Sequence, residues 1–210
     1  MTNEFIYRFE QAKGSGAPPL LLLHGTGGGE NDLLELGAMV SPASALLSPR
    51  GRVTENGMPR FFRRLAEGVF DEDDVRHRAL ELADFVEEAR GRHGIARPIA
   101  LGYSNGANIA AALMLLRPGT LAGAALLRAM VPLSDPPHPD LSGVPVLIAS
   151  GMADPIVPAS NSARLAAMLR DAGAEVSYQA LPVGHQLSRA DLALVRDWLT
   201  MVDVPEPVAT

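Results

Sequence analysis

The chain has 210 residues, 47% of them hydrophobic and 20% charged, enough for one globular unit with a buried core. A formal net charge of −6 argues against nucleic acid as the main partner, and no apolar run approaches the ~18 residues of a membrane span. Cysteine is absent, which excludes disulfides, thiolate nucleophiles and thiolate metal sites and fits a cytoplasmic protein; Met1-Thr2-Asn3-Glu4 also lacks the basic-then-apolar layout of a secretory leader.

Residues 5–9 predict an antiparallel edge strand. Apolar runs at 17–23, 45–47, 98–101, 123–127, 144–149 and 176–181 predict further strands, several without polar alternation, as expected of strands buried on both faces of a parallel sheet. Between them, 75–90 places Leu80, Leu82, Phe85, Val86 and Ala89 near one side of a helix; 107–116, 159–172 and 188–201 also predict helices. Alternating strand and helix means an α/β fold, here a single domain over 1–210 with a mostly parallel sheet flanked by helices. One stretch, 49–74, has weak periodicity and predicts a long irregular connection. Its Phe61, Phe62 and Phe70 are too apolar for disorder, and it leaves the strand end where open α/β sheets carry their sites. The tail 202–210, with two prolines, predicts fraying.

Gly102-Tyr103-Ser104-Asn105-Gly106 follows the apolar run Ile99-Ala100-Leu101 and precedes a predicted helix. A G-x-S-x-G at a strand–helix turn predicts an exposed nucleophilic serine. The turn is so tight that a Cβ at 102 or 106 would strike backbone. It also aims the N-terminus of a helix, with free N–H groups, at a developing oxyanion.

A serine hydroxyl needs a base, and the base needs an orienting acid. His185, in Leu181-Pro182-Val183-Gly184-His185 just past the last predicted strand, is the favoured base; His138 lies in a proline-rich loop. Asp135, Asp140, Asp154 and Asp171 all fall between Ser104 and His185. Asp154 is favoured, because it follows the 144–149 strand onto the same sheet edge as Ser104; as a turn residue before Pro155 it would instead serve as a cap.

An earlier strand ends in His24-Gly25-Thr26-Gly27-Gly28-Gly29, which has neither the Lys-Ser/Thr ending of a phosphate loop nor a dinucleotide fingerprint. Beside the serine turn it predicts a loop whose backbone reaches the oxyanion, with Thr26 and Asn105 N–H as the donors. His24 is read as structural, and Glu30 and Asp32 as complements to a helix start rather than metal ligands. The candidates for substrate contact are Gly27, Arg60, Phe61, Phe62 and Tyr103; no metal and no cofactor is expected.

His24-Gly25-Thr26-Gly27-Gly28, Glu55-Asn56-Gly57-Met58-Pro59-Arg60-Phe61-Phe62, the serine turn and Gly184-His185-Gln186-Leu187 together resemble small bacterial carboxylesterases of the phospholipase/carboxylesterase family, which includes acyl-protein thioesterases. The resemblance spans nearly the whole chain. It implies an α/β-hydrolase fold with little or no lid, a Ser104–Asp154–His185 triad and an oxyanion hole at Thr26 and Asn105. It also implies hydrolysis of a small-molecule ester, with a homodimer left open. Leu127-Arg128-Ala129-Met130 departs from the family's pattern after the fourth core strand. Three other readings stand beside this one. A thioesterase or lysophospholipase would use the same triad. A hydrolase of quinone- or ring-cleavage-derived acids would bind a carboxylate through Arg60, Arg63, Arg64 or Arg128. A binding protein on a disabled hydrolase would have no reason to keep all three triad residues.

Overall fold

Leu20-Leu21-Leu22-Leu23 has no polar alternation, and all four side chains are buried. Such a strand needs cover on both faces. The computed structural model, which describes residues 5–202, supplies it with helices on either side of a sheet. The predicted fraying of the tail and the reading of the first four residues fall, but for residue 202, outside the described residues.

The elements begin with β1 (Tyr7–Glu10), β2 (Leu20–Leu23), α1 (Leu34–Val40) and β3 (Leu46–Pro49). Two short hairpins follow, β4 (Val53–Glu55) with β5 (Met58–Arg60) and β6 (Arg64–Ala66) with β7 (Val69–Phe70). Helix and strand then alternate through α2 (Glu72–His93), β8 (Ile99–Tyr103), α3 (Asn105–Leu116) and β9 (Gly123–Leu127). Last come β10 (Pro145–Gly151), α4 (Ala159–Asp171), β11 (Glu175–Leu181) and α5 (Arg189–Met201). The seven-stranded sheet runs β1-β3-β2-β8-β9-β10-β11 and is parallel except for β1, the expected antiparallel edge.

Alternate residues of each inner strand face opposite layers. Leu21, Leu23, Ala100, Leu126 and Ile148 pack with residues of α2, α3 and α4, such as Val86, Ile109 and Leu165. Leu20, Leu22, Leu101, Leu127 and Leu147 pack with Val40 of α1 and with Val195 and Trp198 of α5. The helix α2 outruns its predicted bounds for a capping reason. Asp71 accepts the Asp74 N–H at its start, and Gly94 adopts φ 64° just past its end. Acidic Glu72, Asp73 and Asp74 open it, and Arg90, Arg92 and His93 close it, complementing the helix dipole.

The segment 49–74 is not the irregular connection that weak periodicity predicts. It forms the two hairpins, and the signal for the first was present in Asn56-Gly57. Both residues take positive φ, 52° and 80°, as a two-residue hairpin turn requires. Strands of two or three residues are too short for alternation to register. Among the described residues, no helix is long and apolar enough to cross a membrane.

Candidate active site

The carboxyl ends of β2, β8, β10 and β11 lie along one edge of the sheet, and each delivers a piece of the site there. From β8 the chain turns at Ser104, whose φ of 52° and ψ of −112° place it in a region that L-residues avoid. A Cβ on Gly102 would come within 2.7 Å of Ala107 Cα, and one on Gly106 would overlap the Leu23 carbonyl. Gly106→Ala is therefore expected to cost at least about 3 kcal/mol of stability, measured by urea unfolding, because backbone on both sides is packed and cannot yield.

Ser104 Oγ lies 3.0 Å from His185 Nε2, and His185 Nδ1 lies 2.8 Å from Asp154 Oδ2. Asp154 follows β10 and His185 follows β11, so adjacent parallel strands bring them together. Asp154 Oδ1 accepts the N–H groups of Ile156 and Val157, at 2.8 and 3.0 Å. Asp154 thus fills the turn role and the partner role at once. Burial pushes its carboxyl pKa upward, but the N–H groups of Val157 and Ile156 and the His185 ring outweigh this and hold it below the usual carboxylate range. The carboxylate stays charged beside the imidazole. Tyr103 OH donates to the His185 carbonyl at 3.2 Å, with its ring 5.5 Å from the imidazole; burial raises its phenol pKa.

The loop after β2 is tied down by the first hairpin region. His24 is buried, with Nδ1 2.7 Å from the Gly25 carbonyl and Nε2 accepting the Gly51 N–H at 2.9 Å. That pairing fixes the neutral tautomer with the proton on Nδ1, in keeping with a pKa lowered chiefly by burial. Gly27 N–H donates to Pro59 O at 2.9 Å, and Arg60 Nη1 donates to Thr26 Oγ1. Phe61 N–H donates to Asn105 Oδ1 at 2.7 Å. The 51–61 stretch therefore holds both residues expected to carry oxyanion donors. Asn105 opens α3, so its N–H has no acceptor within the helix.

These groups border a cavity of about 240 Å³. Thr26, Tyr103, Ser104, Asn105 and His185 line it together with Arg60, Arg64, Glu67, Gly68 and Phe70. Asn108, Met130, Ile156 and Val157 complete it. Of the candidates for substrate contact, Arg60 and Tyr103 are placed here; Gly27, Phe61 and Phe62 are not among its walls. Phe61 and Phe62 are core residues, and Phe62 supports Phe70 edge-on at 5.0 Å. Arg63, paired with Asp71 and Asp74, and Arg128, buried against Asp191, are not among the residues that line the cavity. Asn108, one helical turn after Ser104, could have been found from that spacing alone. Phe70, Met130 and Ile156 reach the cavity only through the path of the hairpins and loops. Glu30 takes Arg50 in a two-pronged ion pair, which with the Glu30 N–H holds its pKa down to about 2.

The model of the phospholipase/carboxylesterase family matches residues 8–203. The chain belongs to this family. A relative, MhqD of Bacillus subtilis (strain 168), named as a hydrolase, is 49% identical over 188 residues, 89% of this chain and 94% of that protein. The carboxylesterase of Bacillus cereus superposes with a TM-score of 0.92 at 43% identity, covering 95% of each chain. The carboxylesterase of Mesorhizobium loti gives 0.90 at 37%, covering 95% of this chain and 97% of its own. YahD, solved with malic acid, gives 0.89 at 30%, covering 95% and 100%. The α/β-hydrolase fold and a hydrolase of carboxylesterase type follow from these matches.

Proposed function

We propose that this family member is a serine esterase for small or short-chain esters, with Ser104, His185 and Asp154 as its triad. The observation that carries the reading is the unbroken line from Ser104 Oγ through the His185 ring to the Asp154 carboxylate, opening into a small cavity. Ser104 Oγ bonds to the acyl carbon as its proton passes to His185 Nε2. The carbonyl oxygen takes the negative charge beside the Thr26 and Asn105 N–H groups. The bond to the leaving oxygen or sulfur breaks, and that atom takes the proton from Nε2. Water then attacks the acyl carbon, gives a proton to His185, and frees the acid as Ser104 recovers its own.

The cavity of about 240 Å³ lies below the ~300–1,000 Å³ of pockets that enclose drug-sized ligands. Across p-nitrophenyl esters from acetate to palmitate, kcat/KM is expected to peak at roughly two to six carbons, since each further buried CH₂ adds ~0.8 kcal/mol only where there is room. A maximum at ~10 carbons or more would refute the short-chain reading and favour a thioesterase or lysophospholipase.

One observation favours a second reading, an ester whose acyl part carries a carboxylate. Arg60 and Arg64, both at the cavity, share the single carboxylate of Glu55, at 3.3 and 2.8 Å. The relative solved with malic acid points the same way. If this holds, the p-nitrophenyl monoester of succinate outruns the butyrate ester, and Arg64→Gln removes the advantage. Equal rates on the two esters would leave the neutral-ester reading alone.

A further inference from the structure

The segment that carries His185 has no regular secondary structure between β11 and α5. Something else must hold the ring to the tolerance that proton transfer requires. Arg128 is the largest fully buried side chain of the described residues, at 0% exposure, and follows β9 with a φ of 58°. All five of its guanidinium N–H groups find acceptors. Nη1 and Nη2 grip the two oxygens of Asp191 at 2.8 and 2.9 Å. Nη1 also donates to Ala149 O at 3.3 Å. The remaining two donors go to the carbonyls on either side of the base: Nε to Gly184 O at 2.9 Å and Nη2 to Gln186 O at 3.3 Å.

We propose that Arg128 is a positioning residue which fixes the His185 ring by gripping the carbonyls of both its chain neighbours, with Asp191 holding the guanidinium in place. The inference rests on His185 acting as the base in the reaction proposed above. Several features set this arrangement apart from a buried ion pair that only adds stability. Such a pair contributes little net free energy against an apolar one of the same shape. A planar fork, by contrast, sets directions that a lysine cannot. The fork is anchored on rigid elements. Asp191 Oδ2 also accepts from Ser188 N–H and Oγ–H, at 2.8 and 2.7 Å, which caps α5, and Arg128 N–H donates to Ala149 O of β10 at 2.9 Å. Tyr103 OH holds the His185 carbonyl itself, so three successive carbonyls are held from two strand ends. A left-handed backbone at a non-glycine residue is a cost that persists where the surrounding structure over-determines it.

The test pairs two variants. Arg128→Met/Asp191→Asn removes both buried charges at once, and the amide oxygen introduced by Asp191→Asn can still accept from the Ser188 N–H, so the protein has no unpaired ion to expel. Arg128→Lys keeps the charge beside Asp191 but loses the fork. In the double variant kcat is expected to fall ~10²-fold, with KM within about three-fold, because the reacting groups are misplaced while the cavity walls stay. Arg128→Lys is expected to fall between wild type and the double variant. Rates are referred to sites titrated with a fluorophosphonate, so that loss of folded protein does not count. The downfield proton resonance of His185 Nδ1–H, assigned by its absence from His185→Ala, should broaden in the double variant while circular dichroism is unchanged. A wild-type kcat per titrated site, or a sharp Nδ1–H signal in the double variant, would overturn the proposal. His185→Ala separates this from the reaction itself. If that variant keeps the wild-type rate, the base assignment fails and the positioning role with it; if it is inactive while the double variant is not, only the positioning role fails.

Discussion

Ser104→Ala is expected to lower kcat/KM for every hydrolysed ester by ~10⁴-fold or more and to abolish labelling by a fluorophosphonate, while the fold remains. Only one heavy atom is removed, beside a cavity, and no backbone hydrogen bond depends on it: Ser104 N–H still donates to Leu127 O and Ser104 O still accepts from Asn108 N–H. Stability should therefore move by less than about 1 kcal/mol. The residual rate would come from the oxyanion donors and from binding, which do not need the hydroxyl. Ser104→Gly makes a sharper pair with it. Glycine adopts φ 52° without the steric cost that serine bears, so this variant should be equally inactive yet at least as stable. Retention of more than about a tenth of the wild-type rate in either variant would remove Ser104 from the reaction, since a missing nucleophile commonly costs several orders of magnitude.

How far the sequence spoke depended on whether a residue's role is local. The strand–turn–helix around Ser104 is a local matter of sterics: Gly102 and Gly106 are required by contacts within a few residues or with the next strand, and the pattern is legible in five consecutive residues. Asp154 and His185 were also readable, because parallel strands deliver their carboxyl ends to one edge whatever the loops do. The walls of the cavity were not. Phe61 and Phe62 are adjacent aromatics in a segment near the site, and nothing in their identity distinguishes a wall from a core; only the tertiary path buries them and presents Phe70 instead. Leu65, 72% exposed on the second hairpin, was equally invisible, since hairpins this short have no measurable period. Arg128 was a departure from a family pattern, and its meaning needed Asp191, 63 residues away.

Asp154→Asn is expected to leave the protein folded and to lower kcat ~10⁴-fold, through the tautomer rather than through charge alone. In the proposed reaction the carboxylate, 2.8 Å from Nδ1, accepts its proton, which leaves Nε2, 3.0 Å from Ser104 Oγ, bare to take the serine proton. Asparagine can keep its oxygen on the Ile156 and Val157 N–H groups, and its amide nitrogen then faces Nδ1. That donor favours the tautomer with the proton on Nε2, where it blocks the reaction. The pH behaviour follows from the same geometry. Asp154 is held below the usual carboxylate range, because the N–H groups of Val157 and Ile156 and the His185 ring outweigh its burial. Its stability contribution has the opposite ordering from that of a group with a raised pKa. A carboxyl depressed on folding stabilises at pH above its unfolded value and loses that contribution as pH falls through its folded one. The unfolding free energies of wild type and Asp154→Asn should accordingly differ most near neutrality and converge in acid. An Asp154→Asn variant more stable than wild type near neutrality would mean that burial, and not the N–H groups and His185, dominates at this carboxylate. An Asp154→Asn enzyme with more than about a tenth of the wild-type kcat would show that the imidazole does not need this partner to hold its tautomer, and the acid would have to be sought elsewhere.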